Sequence, residues 1–330
     1  MVSGSLIVEA GPMTTSSNHG EPARFDREQV RTSAATLRDK RHQLAGPAAP
    51  LVRGWAPLQT AMHDALTNPP KGIADVLAIQ VTVQAILDQL PPSPANNRVA
   101  AFNKLYLTIT RRVDTALQTT AHWPEFLEML DVEFAKRYFL ALDLWNRDQP
   151  DTPDVWEVLF RRAGDMEVSE LIAATLGVNA HINHDLSLAL IGTWKEVGAP
   201  TDDIIHPDYL LVNEIFYQEI PPLRRGFSTR WQNELDALVG PLDDWSQRLL
   251  VRVTRAHAWD QGRQLWELRN DPEDFEEARR AMDRAASLVA EWAIAGDRLV
   301  NGAGWGIGGT WRFMRKVLGR NRRPPAATHA

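Results

Sequence analysis

From Phe25 onward, apolar residues recur mostly at three and four positions, and clusters of Pro, Gly, Asn and Asp cut the pattern into helix-length pieces. That spacing gives each piece one apolar stripe, and nowhere does a period of two build a convincing strand pair. It predicts helices at roughly 27–44, 55–67, 73–90, 96–118, 124–147, 153–164, 168–197, 208–218, 227–239, 242–269 and 272–300. Several starts have a chemical reason. Pro124 and Pro153 stand where a first-turn proline loses no helical hydrogen bond, and Asp271 is placed to cap the helix that follows. No repeat of fixed period is present, which argues against a solenoid. The expected fold is therefore all-α: one large multi-helix domain of about ten to eleven helices over residues 25–301. Residues 1–24, rich in Ser, Thr, Gly and Pro, are expected to be disordered, and residues 302–330 to form a Gly-rich hinge and a basic amphipathic tail.

Composition narrows the function classes. The absence of cysteine excludes disulfides, a thiol nucleophile and thiolate metal sites, leaving His, Asp, Glu, Asn and carbonyl oxygens as ligands. No apolar run approaches the roughly 20 residues of a spanning helix, and the first residues lack the order of a signal peptide, so a cytoplasmic protein is expected. The net charge of -6 is uneven. Residues 303–323 carry six Lys and Arg and no acid, so the rest of the chain stands at -12, a poor surface for nucleic acid. In that tail Trp311, Phe313, Met314, Val317 and Leu318 lie among cations, the pattern of peripheral contact with anionic lipid or of an end that folds back on the acidic body. Its Gly304–Gly309 spacing follows a helix rather than a strand and reads as a hinge, not a dinucleotide loop.

One stretch breaks the helical pattern chemically. VNAHINHDLSLAL, residues 178–190, packs Asn179, His181, Asn183, His184 and Asp185 between aliphatic runs. His181, His184 and Asp185 fall at i, i+3 and i+4 and share a helix face. Such a face supplies imidazole and carboxylate to one divalent ion, or a histidine base oriented by an acid. The competing reading is a buried network that ties helices together. Twelve Trp and ten Phe against four Tyr suit a thick helical core or an apolar pocket, with Trp259, Trp266 and Trp292 spaced for packing.

The Asn-Ala-His-Ile-Asn-x-Asp-Leu run of residues 179–186 resembles the signature of an uncharacterised all-helical actinobacterial family, a domain of unknown function. FNKLYLTIT (102–110), LDVEFAKRYFLAL (130–142) and AHAWDQGRQLW (256–266) share the resemblance, which covers about residues 50–295. It implies an all-helical fold with a common polar centre. It also implies that position 184 is variable, leaving His181 with Asp185.

The matching segments offer Asn103 and Tyr106, then Asp131, Arg137 and Tyr138, of which at most two point inward together, and His257 with Asp260. His63-Asp64 is a second His-Asp pair that invites comparison with helical metal phosphohydrolases. The aromatic excess invites comparison with isoprenoid cyclases, although an aspartate-rich metal motif within a helix is missing. Paired Glu-x-x-His motifs, a GxSxG elbow, a P-loop and HExxH are all missing too. The expectation is a small-molecule enzyme acting on a largely apolar or phosphorylated, even isoprenoid, substrate, as a metal-assisted lyase, cyclase or hydrolase. His181 and Asp185 are the expected catalytic residues and the expected ligands of a divalent Mg or Zn. Asn179, Asn183, Tyr106 and Tyr138 are the expected substrate contacts. The alternative is a non-catalytic ligand-binding or interaction protein whose polar motif is structural.

Overall fold

Stripes of apolar residues three and four apart become helices here throughout. The computed structural model describes residues 56–89, 97–165, 167–201, 204–226 and 242–302, and among these every regular element is helical. In chain order they are α1 (Ala56–Leu66), α2 (Ile73–Leu87), α3 (Arg98–Thr119), α4 (Pro124–Asn146), α5 (Asp154–Phe160), α6 (Glu170–Ala180), a π turn (His181–Asp185), α7 (Leu186–Val197), α8 (Pro207–Gly226), α9 (Leu242–Glu267), a 3-10 turn (Leu268–Asn270) and α10 (Pro272–Gly302). The helices expected at 27–44 and 227–239, the N-terminal segment and the basic tail lie outside the described residues. Among the described residues, no helix is long and apolar enough to cross a membrane.

Local chemistry sets many of the boundaries. Asn97 caps α3 by accepting from the backbone N–H of Val99 and Ala100, Ser169 caps α6 by accepting from Ile172, and Asp271 accepts from Asp274 at the start of α10. At α2, Gly72 offers no cap and the Glu128 carboxylate accepts from the Ile73 N–H at 3.1 Å, and two later starts also have no side-chain cap of their own. Trp123 and Pro153 precede α4 and α5 without a capping side chain, and distant carboxylates take that role. Asp208 of α8 accepts from the N–H of His122 and Trp123 at 2.8 and 2.5 Å. Asp283 of α10 accepts from the N–H of Asp154 and Val155, both at 2.8 Å. Each buried carboxylate thus satisfies two orphan donors of another helix.

The segment 168–197, expected as one helix, is two helices joined by the π turn, in which the Leu186 N–H reaches the His181 carbonyl five residues back. The extra residue is invisible to apolar spacing because the helix axis continues through it. α8 also runs past its expected end at 218, through Pro221 and Pro222 to Gly226, although each proline removes a helical donor.

The α6–π–α7 rod is the hub. α3 and α10 pack along its first half, and α4 and α9 along its second. Close approach needs small residues: a Cβ on Gly177 would lie 2.2 Å from the Phe102 ring, and one on Gly192 2.2 Å from the Glu133 carboxylate. Trp156, Trp194 and Trp259 are fully buried, and Trp194 meets Trp259 and Trp266 edge-on at 5.4 and 6.0 Å. Trp292, expected to join that packing, instead faces outward from α10 and is 71% exposed. The core divides into three clusters, and Val178 packs against all of them. Their junction is where the helices fail to close completely.

A candidate small-molecule site at the π turn

At that junction lies a partly enclosed cavity of about 630 Å3, its open mouth included. α3 contributes Phe102, Leu105, Tyr106, Ile109 and Val113, and α4 contributes Leu127, Leu130, Asp131 and Phe134. Val178, His181, Ile182 and Leu186 come from the rod, Val212 and Phe216 from α8, and Arg255 from α9. Nearly all of the wall is hydrocarbon. Four polar side chains interrupt it: Tyr106, Asp131, His181 and Arg255, all buried. The Tyr106 hydroxyl, Asp131 Oδ2, His181 Nε2 and Arg255 Nε each meet no hydrogen-bond partner, Thr110 approaching Tyr106 without good geometry. Leaving such groups unpaired costs about 1–3 kcal/mol each, and all four residues stand in the wall of one cavity.

His181 is fixed from behind. Its Nδ1 lies 3.1 Å from Asp185 Oδ2, which also accepts from the Trp156 indole N–H at 2.9 Å. Asp185 Oδ1 lies 2.8 Å from His184 Nδ1. Burial alone would raise the Asp185 pKa, and the hydrogen bonds from His181 and His184 more than offset it, holding the carboxyl below its ordinary value. An ionised carboxylate can only accept, so both imidazoles present Nδ1–H to it, and His181 Nε2, buried in a residue of the cavity wall, keeps an unpartnered lone pair. Burial lowers the His181 pKa despite Asp185, which keeps the ring neutral. Phe134 stacks on that ring at 3.4 Å with an interplanar angle of 10°, and Tyr106 stands edge-on at 4.5 Å. Packing on both sides and a carboxylate at its back leave the imidazole one free direction.

The other polar groups differ. Burial, with Glu128 and Asp114 nearby, pushes the Asp131 carboxyl up to about 8, so at neutral pH it is a protonated donor. Burial also raises Tyr106 far above its ordinary value. Arg255 donates to the Tyr209 carbonyl at 3.1 Å and lies 4.4 Å over the Tyr209 ring, while the Tyr209 hydroxyl donates back to the Arg255 carbonyl at 2.6 Å.

The residues singled out from sequence fall in different places. His181 and Tyr106 line the cavity, and Asp185 stands directly behind His181. Tyr138 is buried in the aromatic wall against Phe102, Trp156 and His181 without reaching the cavity. Asn179 and Asn183 form a pair on another side of the rod: Asn183 donates to Asn179 at 2.9 Å, and Asn179 donates to the Ala286 carbonyl of α10 at 2.9 Å. Of Asp131, Arg137 and Tyr138, the first and last are buried. His63 pairs with Asp143 at 2.7 Å rather than with its neighbour Asp64, which is exposed, as are His257 and Asp260. Among the described residues, no three His, Asp or Glu side chains converge as a metal set. An ion entering the cavity would meet His181 and Asp131, with Asp185 behind the imidazole. Arg255 and Phe134 carry no sequence signal for a site; a buried Arg in α9 reads as one more cation on a charged helix.

Comparison with curated proteins and with solved structures finds no match. A family model does match, over residues 73–296, a span that holds every residue of the cavity wall and of the π turn. The chain therefore belongs to the family described as a family of unknown function, DUF5995.

Proposed function

We propose that this cavity is a small-molecule site in which a largely apolar ligand is held against His181, whose Nε2 serves as general base or hydrogen-bond acceptor. The observation that carries the reading is the orientation of one imidazole. Buried, neutral and clamped between Phe134 and Asp185, it stands in the wall of an apolar enclosure with its Nε2 unpartnered, among other buried polar groups of the same wall. The carboxylate behind the ring does what the acid of a catalytic dyad does: it fixes the tautomer and stabilises the imidazolium that forms when a proton is taken. Tyr106 and protonated Asp131 supply donors toward developing negative charge on a substrate oxygen. A compact hydrocarbon body matches the remainder of the wall.

The test has two parts. Nitrogen NMR of protein labelled at histidine should show His181 with Nδ1 protonated and Nε2 bare at pH 7; the opposite tautomer would remove the base. Saturable binding of the neutral apolar dye N-phenyl-1-naphthylamine should be abolished by Val212→Trp, which fills the cavity. Dye binding of equal strength in that variant would place the apolar site elsewhere.

A further inference from the structure

Charge balance in the cavity says more about its ligand than its shape does. Arg255 is 3% exposed, and among the described residues no carboxylate forms an ion pair with it. Its contacts are a carbonyl and the face of a phenol ring, both from Tyr209, which hold the guanidinium without neutralising it. A buried cation without an ion-pair partner is costly, and Arg255, its Nε buried and unpartnered, is a residue of the cavity wall. The one carboxyl in the same wall does not supply the missing charge. Asp131 has an unpartnered Oδ2 and lies near Glu128 and Asp114 rather than Arg255, so at neutral pH it keeps its proton. His181 is neutral and Tyr106 protonated. The wall therefore holds one guanidinium without an ion-pair partner and at least two neutral donors, the ionised Asp185 lying behind the His181 ring and bonded there.

We propose that the ligand is a carboxylate on an apolar body, its anionic end taken by Arg255 and its hydrocarbon lying among Leu105, Ile109, Val113 and Phe216. This rests on the reading of the cavity as a small-molecule site and names the substrate class. One guanidinium matches a monoanion; a phosphate monoester, dianionic at pH 7, would bring a second charge with no partner. The Asp131 carboxyl and Tyr106 hydroxyl donate to the second carboxylate oxygen, an acid-to-carboxylate bond that only a protonated Asp131 can make.

Calorimetric titration of the full chain at pH 7 with octanoate, octanol, octylamine and octyl phosphate tests the assignment. Octanoate should bind more tightly than octanol by roughly 10- to 100-fold, octylamine should not saturate, and octyl phosphate should be weaker than octanoate. Arg255→Met should bring octanoate down to the level of octanol and leave octanol unchanged. Arg255→Lys, which keeps the charge if the methionine variant fails to fold, should retain the preference for octanoate. Equal binding of octanoate and octanol by the unaltered protein would remove the charge assignment while leaving the apolar site standing. Tighter binding of octyl phosphate would overturn the monoanion. Failure of all four probes would overturn the inference, and joined to failure of the neutral dye it would take the cavity reading with it.

Discussion

His181 with Asp185 and His63 with Asp143 are the same two side chains at similar separations, 3.1 and 2.7 Å, each on a buried carboxylate, with only the first imidazole buried too. Asp185 is closed off from water and shared by three donors, from His181, His184 and Trp156. Asp143 is buried too, but both of its partners reach water: the His63 side chain is 42% exposed and that of Arg147 41%. At the surface, water and salt do most of what a partner does. In the interior nothing replaces the partner, so each bond constrains the ring as well as stabilising it. Proximity of His to Asp therefore says little about function until burial is known. Only the His181 pair stands in a cavity wall, with a ring nitrogen buried and unpartnered.

Removing the carboxylates should separate the pairs most. Asp185→Ala leaves three buried donors unsatisfied and should cost about 3–5 kcal/mol in urea denaturation, against about 1–2 kcal/mol for Asp143→Ala, whose two half-exposed partners can turn to water. Similar losses would erase the distinction. Trimming one donor is gentler: Trp156→Phe should cost about 1–2 kcal/mol and leave the His181 tautomer unchanged by nitrogen NMR. Acid sharpens the comparison further. His181 titrates below its ordinary value in the folded protein, so below about pH 6.5 the unfolded chain binds the extra proton first and stability falls with pH. Relative to His181→Gln, the unaltered protein should lose up to about 1.4 kcal/mol per pH unit below that point, and a parallel pair of curves would show that the ring is not held neutral by burial. Asp131 acts with the opposite sign, because a carboxyl raised to about 8 gives stability that is full below about pH 4 and is lost as pH rises through 8. Asp131→Asn should therefore gain stability over the unaltered protein between pH 7 and 9. The smallest effect belongs to the pair whose imidazole reaches water. A double-mutant cycle on His63 and Asp143 at pH 5 should give a coupling of a few tenths of a kcal/mol that disappears in about 1 M salt.

The helices were legible because each one's stripe is written locally. α2, α3, α4, α9 and α10 begin and end within a few residues of where apolar spacing, Pro124 and Asp271 put them. The contact of His181 with Asp185 also follows from spacing, since four residues bring two side chains over one another. What spacing cannot carry is the extra residue of the π turn, which changes the hydrogen-bond ladder without changing which residues are apolar. Nor can it show convergence. Arg255, Phe134 and Asp131 meet His181 because α9 and α4 flank the same rod, and nothing near residue 255 or 131 in sequence mentions residue 181. Asn179 and Asn183 carry the same lesson reversed: as dense a polar signal as the histidine, they reach α10 and not the cavity.

The borrowed caps at α4 and α5 bear on how the chain assembles over time. The bonds from Asp208 to the start of α4 span 85 and 86 residues, and those from Asp283 to the start of α5 span 128 and 129. A nascent chain leaving the ribosome thus holds the first turn of α5 unfinished until α10 has been synthesised and docked. Early helices await late ones, contacts of long sequence separation come at the end, and the kinetics should show one slow cooperative closure rather than helices added in order of synthesis.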